Sequence, residues 1–253
     1  MSQQTAHAET FRSLHVPGRP LVLFNAWDAG SARAVAAAGA LAIGTGSWSV
    51  AAAHGYEDGE KLPLELALAN LRRIVGAVTL PVTIDLETGY AADPAGVAAT
   101  VAAALAAGAV GVNLEDSLPG TSELRPTAQQ AERLKAARAA CERAGVPAFV
   151  NARTDVFFRG IPADEALLAE ALERARAYAD AGADGLFVPG LVEERLIGLL
   201  AERSPLPVNI MAGPNTPPKA RLAELGVARL SHGPGPYRLA MQAVEAAARA
   251  AFA

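Results

Sequence analysis

Eight short apolar segments alternate with eight amphipathic, alanine-rich ones along the whole chain, and this alternation predicts a single (β/α)8 barrel over residues 1–253. Punctuation agrees with it. Prolines introduce four of the apolar segments (Pro20, Pro81, Pro147 and Pro207), and glycines that end a helical stretch introduce the other four (Gly39, Gly108, Gly182 and Gly226). Glycine just past a helix adopts the left-handed conformation that stops it. Length agrees too, since eight such units need ~250 residues. An open doubly wound sheet would carry G-x-G-x-x-G after its first strand, and that motif is missing there.

In chain order, strands are expected at 21–25, 42–45, 82–86, 111–114, 148–153, 185–188, 208–211 and 229–231. Helices are expected at 29–38, 63–76, 94–107, 128–144, 165–181, 193–202, 218–225 and 237–251. Asp93-Pro94 supplies a cap and a proline for the first helical position, and Thr127 with Gln130 has capping-box spacing. In the third strand Val82, Ile84 and Leu86 share one face, while Thr83, Asp85 and Glu87 share the other. A strand apolar outside and acidic at its C-terminal end suits a barrel whose mouth binds a cation. Taken alone, it also suits a solvated acidic turn.

Composition narrows the function. A formal charge of −4 and a pI near 5.6 argue against a nucleic-acid partner or an anionic membrane surface. No apolar run approaches the ~20 residues that span a bilayer. The first residues lack a basic segment followed by an apolar one, so a cytoplasmic location is expected. The single cysteine, Cys141, excludes an internal disulfide framework and a multi-cysteine metal cage. It falls late in the fourth expected helix, as packing on the outside of the barrel.

Barrel chemistry sits where strands end and loops begin, on the C-terminal side. The polar residues expected there are Asn25, Trp27 and Asp28; Thr45, Gly46 and Ser47; Asp85 and Glu87; Asn113, Glu115 and Asp116; Asn151, Arg153 and Asp155; and Asn209. Burying so many is unfavourable unless they pair with one another, a metal or a ligand. Asp85, Glu87 and Glu115 make a carboxylate cluster. Oxygen ligands without histidine or cysteine favour Mg²⁺ or Mn²⁺ over Zn²⁺. Arg153 can fork onto a substrate carboxylate or phosphonate, or pair with Glu115. Lys61, Lys135 and Lys219 all fall in loops or helices, which disfavours a Schiff-base aldolase. His7, His15, His54 and His232 are too dispersed for a metal triad.

Seven segments in order resemble the isocitrate lyase / phosphoenolpyruvate mutase superfamily over essentially the whole chain: FNAWDAGSA (24–32), GTGS (44–47), GYEDG (55–59), IDLETGY (84–90), GVNLEDS (111–117), NARTDVF (151–157) and GADGLFVPG (182–190). The resemblance implies a Mg²⁺-dependent site for 2-oxo or 2-hydroxy acids. In it, Asp85 is the direct metal ligand, and Glu87, Glu115 and Asp58 hold metal-bound waters. Arg153 is the anion clamp, the amides around Gly46 and Ser47 cradle a carboxylate, and Trp27 is a pocket wall. It also implies exchange of the last helix between subunits, in a homodimer or homotetramer.

Two departures stand out. Glu87 stands where members commonly have aspartate. The K-K-C-G-H lid motif of the isocitrate and methylisocitrate lyases is replaced by EDSLPGTSEL (115–124), with no cysteine, lysine or histidine. The expected activity is therefore Mg²⁺-dependent C–C cleavage of a small 2-oxo acid, of the oxaloacetate decarboxylase kind. The alternatives are C–P chemistry on phosphonopyruvate, with Asp58 near the transferred group, and a non-catalytic 2-oxo-acid binding protein.

Overall fold

In a computed structural model, which describes residues 2–119, 121 and 123–253, eight parallel strands form a barrel surrounded by helices. Of the altered lid, Gly120 and Ser122 lie outside the described residues. The order is α1 (Gln3–Ser13), β1 (Leu21–Leu23), α2 (Ala29–Ala37), β2 (Ile43–Gly44), α3 (Ser47–Ala53), α4 (Leu64–Val75), β3 (Val82–Asp85), α5 (Pro94–Ala106), β4 (Gly111–Glu115) and α6 (Thr127–Ala144). It continues with β5 (Phe149–Arg153), α7 (Glu165–Asp180), β6 (Gly185–Val188), α8 (Glu194–Arg203), β7 (Val208–Met211), α9 (Lys219–Glu224), β8 (Arg229–Ser231) and α10 (Gly235–Phe252).

From β2 to β8 each strand pairs with the next in sequence, and β8 pairs with β1. Between β1 and β2 the sheet is joined by one bridge, Ala26 to Thr45, in which the Ala26 N–H donates to the Gly44 carbonyl at 2.9 Å. The expected helix-ending glycines are all left-handed, with φ of 94° at Gly39, 100° at Gly108, 91° at Gly182 and 86° at Gly226. Asp93 caps α5 by accepting the Gly96 N–H at 2.8 Å.

Three local expectations change. The Thr127–Gln130 capping box does not form: Pro126 precedes α6 without a side-chain cap, and the Gln130 amide donates to the Glu115 carbonyl at 3.1 Å instead. Two further helices, α1 and α3, lie where only loop was expected. The first closes the N-terminal end of the barrel. Its Phe11 ring stands edge-on to Phe149 (5.7 Å), and just beyond the helix the His15 ring stacks on Phe149 at 3.9 Å. Gly111 is required here, because a Cβ would lie 2.9 Å from both the Phe11 ring and Thr83 Oγ1. Arg12 pairs with Asp184 at 2.5 Å and ties α1 to the β6 end of the barrel.

The apolar core lies between sheet and helices and takes in Leu23, Ile43, Leu71, Val112, Leu134 and Leu186. Cys141 is buried in it, and burial pushes the thiol above its ordinary pKa. The last helix behaves differently. Tyr237 in its first turn meets Trp27 (5.2 Å) and Trp48 (5.9 Å) edge-on, but Leu239, Met241, Val244 and Phe252 are exposed. On the outer wall beside β1 lies an apolar groove of ≈ 1010 Å³, lined by Leu14, Val16, Val22, Phe24, Val35 and Leu41 among others. Among the described residues no helix is long and apolar enough to cross a membrane.

Candidate active site

The strand ends converge on Asp85. Its N–H donates to Thr45 Oγ1 at 3.1 Å, and its Oδ2 accepts the Ser47 hydroxyl at 3.1 Å and the Ser47 N–H at 3.4 Å. Gly46 and Ser47 thus stand at the start of α3 facing this carboxylate. The chain then leaves β3 through a turn in which Glu87 and Tyr90 are left-handed, with φ of 51° and 53°. Buried Arg133 of α6 holds that turn from behind, donating to the carbonyls of Thr88, Ala91 (3.0 Å) and Ala92 (2.9 Å). A cavity of ≈ 10 Å³ opens beside Asp85, lined by Thr45, Ser47, Asn70 and Tyr90 among others, the size of about one water molecule.

Across the mouth, Glu115 at the end of β4 is the register partner of Arg153 on β5. The two pair at 2.8 Å, and Glu115 Oε1 accepts the Ser117 hydroxyl at 2.5 Å. Arg153 also gives its Nε and Nη2 edge to Asp155, at 2.6 and 2.8 Å. Phe158 and Phe187 flank the guanidinium at 5.7 and 5.8 Å. Asp116 faces away from the mouth. It is fully buried and accepts from Tyr178, Arg174 and the Asp155 N–H at 2.8, 3.1 and 3.0 Å, which anchors the strand ends. Asp28 is a helix cap, accepting the Ser31 N–H at 2.7 Å.

Electrostatics mark this as an anionic pocket short of positive charge. Burial, with Asp58 and Asp85 nearby, pushes Glu87 up to about 8. Burial pushes Glu115 up to about 7, with Asp155 and Asp85 adding to it and Arg153 opposing. Withdrawal of its carboxyl from water and the neighbouring Asp85 charge raise Asp58 as well. Burial works against the Arg153 charge, but Glu115 and Asp155 outweigh it and hold the guanidinium protonated.

The structure therefore brings Ser47, Asp58, Asp85, Glu87, Glu115 and Arg153 to one place. Trp27 is half-buried at the rim against Tyr237. Thr45 spends its hydroxyl on the Asp85 backbone. Asn209 is buried inside the barrel, where its Oδ1 accepts from Ser231 at 3.2 Å, and it makes no hydrogen bond to the group around Asp85. Among the described residues no three His, Cys, Asp or Glu side chains close on one point as direct metal ligands. Sequence alone does not single out Glu60, whose backbone and side chain both bond into the β3 turn, nor Arg229, which lies buried beneath the mouth and donates to Ser231 (3.1 Å) and Asn113 (3.4 Å).

A parallel (β/α)8 barrel with clustered acids and one clamped arginine at its C-terminal mouth defines an enzyme of the lyase and mutase kind. The chain belongs to the phosphoenolpyruvate phosphomutase family, whose model matches residues 11–252, within the isocitrate lyase / phosphoenolpyruvate mutase superfamily. It is similar to a Burkholderia cenocepacia crystal structure bearing a provisional phosphonomutase name, with 56% identity and a TM-score of 0.96 over 98% of this chain and 99% of that one. It is 32% identical to the 2-methylisocitrate lyase of Salmonella typhimurium over 212 residues, 78% of this chain and 70% of that protein. A phosphonopyruvate hydrolase solved with oxalate and Mg²⁺ superimposes with a TM-score of 0.83 at 25% identity, covering 97% of this chain and 85% of that one.

Proposed function

We propose that this enzyme is a cytoplasmic, Mg²⁺-dependent lyase that decarboxylates or otherwise cleaves a small 2-oxo acid beside its carbonyl. The observation that carries the reading is a pocket where, among the described residues, abundant carboxylates meet the arginine Arg153 without a thiol or amine. Apart from Gly120 and Ser122, the lid segment 115–124 is described, and its sequence contains no cysteine, lysine or histidine. Loss of carbon dioxide from a 3-carboxy-2-oxo acid needs no base to take a proton from the substrate, so a site without those groups suffices for it.

The donor set fits a hydrated Mg²⁺ ion. That cation keeps several of its waters and takes one or two carboxylates, which agrees with acids that gather around Asp85 without enclosing a point. Asp85 would bind directly, and Glu87, Glu115 and Asp58 through waters. When bound, Mg²⁺ supplies Lewis-acid charge against the negative charge that builds on the C2 oxygen. The remaining work falls to the chain. Two Arg153 N–H groups donate to Asp155 and Nη1 makes an ion pair with Glu115, and the N–H groups not given to Asp155 would hold the substrate carboxylate. The amides of Gly46 and Ser47 would cradle a carboxylate on the Asp85 side, and the buried Phe187 ring shields the Arg153 side from water.

The test is a panel of 2-oxo acids assayed with Mg²⁺. Turnover of oxaloacetate to pyruvate, lost on chelation, is expected. Phosphate release from phosphonopyruvate as the dominant activity would replace the reading with C–P chemistry. Binding without turnover of any acid would make the chain a binding protein.

A further inference from the structure

The loop that carries Asp58 is held by packing only where it ends, at Leu62, which is buried with Val50, Ala51 and Ala67. Gly55 and Gly59 are left-handed, a Cβ at either would meet nothing within 4 Å, and Tyr56 is 40% exposed. Glu60 fixes it. The Glu60 N–H donates to Glu87 Oε2 at 2.7 Å, and Glu60 Oε1 accepts the Thr88 hydroxyl at 2.6 Å and the Tyr90 N–H at 2.7 Å. The Tyr90 hydroxyl donates to Glu87 Oε1 at 3.3 Å and closes the ring. Glu60, Glu87 and Tyr90 are also the non-glycine residues with positive φ among those described, at 61°, 51° and 53°. Left-handed backbone is disfavoured for an L-residue, whose Cβ crowds the following carbonyl oxygen. Outliers of this kind persist where surrounding bonds over-determine them, and they gather at functional sites.

We propose that Glu60 is a positioning residue: a latch that seats the 55–62 loop on the end of β3, setting Asp58 beside Asp85 and fixing the carboxylate of Glu87. Its consequence for metal binding rests on the proposed Mg²⁺ site; its consequence for the loop does not. Both ends of Glu60 are used, so the left-handed backbone and the carboxylate act together. The backbone turns the N–H toward Glu87, while the side chain reaches past it to Thr88 and Tyr90.

Three variants separate these parts. Glu60→Ala removes the carboxylate, Glu60→Gln keeps an acceptor at Oε1, and Glu60→Gly keeps the left-handed backbone without a side chain. Hydrogen exchange on the metal-free protein should show amides 57–61 opening about tenfold faster in Glu60→Ala and Glu60→Gly, with Glu60→Gln within about threefold of wild type. Equal protection in Glu60→Ala overturns the latch; should that variant not fold, Glu60→Gly makes the same comparison. Mg²⁺ affinity by calorimetry should fall about tenfold in Glu60→Ala and Glu60→Gly, near 1.4 kcal/mol, and recover in Glu60→Gln. Unchanged affinity beside faster exchange would limit the latch to the loop and overturn its role at the site. A wild type that takes up no Mg²⁺ would overturn the metal reading, and the exchange result would still decide the latch.

Discussion

Arg153 gives the Nε–Nη2 edge of its guanidinium to Asp155, two residues further along the same chain. A fork held this way stands at a fixed angle before any ligand arrives, and an ammonium cannot take its place because it is a point charge. Arg153→Lys should raise KM for the best 2-oxo acid at least tenfold, about 1.4 kcal/mol, with a smaller change in kcat. Asp155→Asn should move KM in the same direction by less. Steady-state kinetics with unchanged KM in Arg153→Lys would reduce Arg153 to a structural partner of Glu115 and Asp155.

Asp85 is where the Ser47 and Thr45 contacts meet. Asp85→Ala should abolish saturable Mg²⁺ binding in calorimetry and most of the turnover. Its circular dichroism should match wild type, since the change also removes one of several repelling carboxylates. Unaltered Mg²⁺ affinity in this variant would remove the metal site from this position.

His15 supplies one destabilising part of the acid dependence of stability. Its Nδ1–H donates to the Phe11 carbonyl at 2.8 Å, Nε2 is buried without a partner, and burial with Arg229 and Arg12 nearby pushes the imidazole down to about 3. Below its ordinary pKa of 6.5 the unfolded chain takes up a proton that the folded chain refuses, so the His15 contribution to stability falls as pH drops from 6.5 toward 3, against the opposite contribution of Glu87 and Glu115, which the fold holds protonated up to about 8 and about 7. This one group contributes a slope of up to about 1.4 kcal/mol per pH unit. In urea melts at pH 7.5, 6 and 5, His15→Gln should gain stability relative to wild type as pH falls. Parallel curves for the two proteins would place the acid sensitivity elsewhere.

The exposed apolar residues of α10 and the open groove beside β1 are proposed as two halves of a contact between copies of this chain. A dimer or tetramer is expected at micromolar concentration. Leu239→Asp with Val244→Asp should shift it to monomer in light scattering. A wild-type monomer at the same concentration would leave the groove without its occupant.

Cys141 lies in the core, away from the mouth. Cys141→Ala should leave turnover within about twofold, near 0.4 kcal/mol in barrier. The wild type should cleave neither isocitrate nor 2-methylisocitrate at a measurable rate. Glyoxylate or pyruvate from either would mean that another residue serves in place of the lid thiol, and the argument from segment 115–124 would fail.

The barrel was legible because strand and helix alternate eight times, with four pre-strand prolines and four post-helix glycines marking the eight strand starts. The two extra helices were not. Of α1 only Ala8 and Phe11 are buried, too few for an apolar stripe, and α3 is seven residues long. The capping-box spacing at Thr127 misled because Gln130 has a better partner in a strand-end carbonyl. At the mouth, parity put Asp85 and Glu115 on the inward face, and register then joined Glu115 to Arg153. Glu60 stayed hidden because its role depends on a backbone conformation that side-chain chemistry does not announce. Asn209 has inward parity too, but parity does not say how deep along the barrel a residue lies.

The single bridge between Ala26 and Thr45 gives the cylinder a seam. Other neighbouring strands share two to five paired residues, whereas here Asn25 supplies the stitch, its Nδ2 donating to the Thr45 carbonyl at 2.9 Å and its Oδ1 accepting the Gly233 N–H at 2.9 Å. Thr45 and Ser47, which grip Asp85, stand on one lip of that seam, and Trp27 stands on the other. Any opening of the cylinder is therefore expected first at this seam, where it would alter the width of the entrance, while the five-residue pairing of β4 with β5 holds the Glu115–Arg153 side.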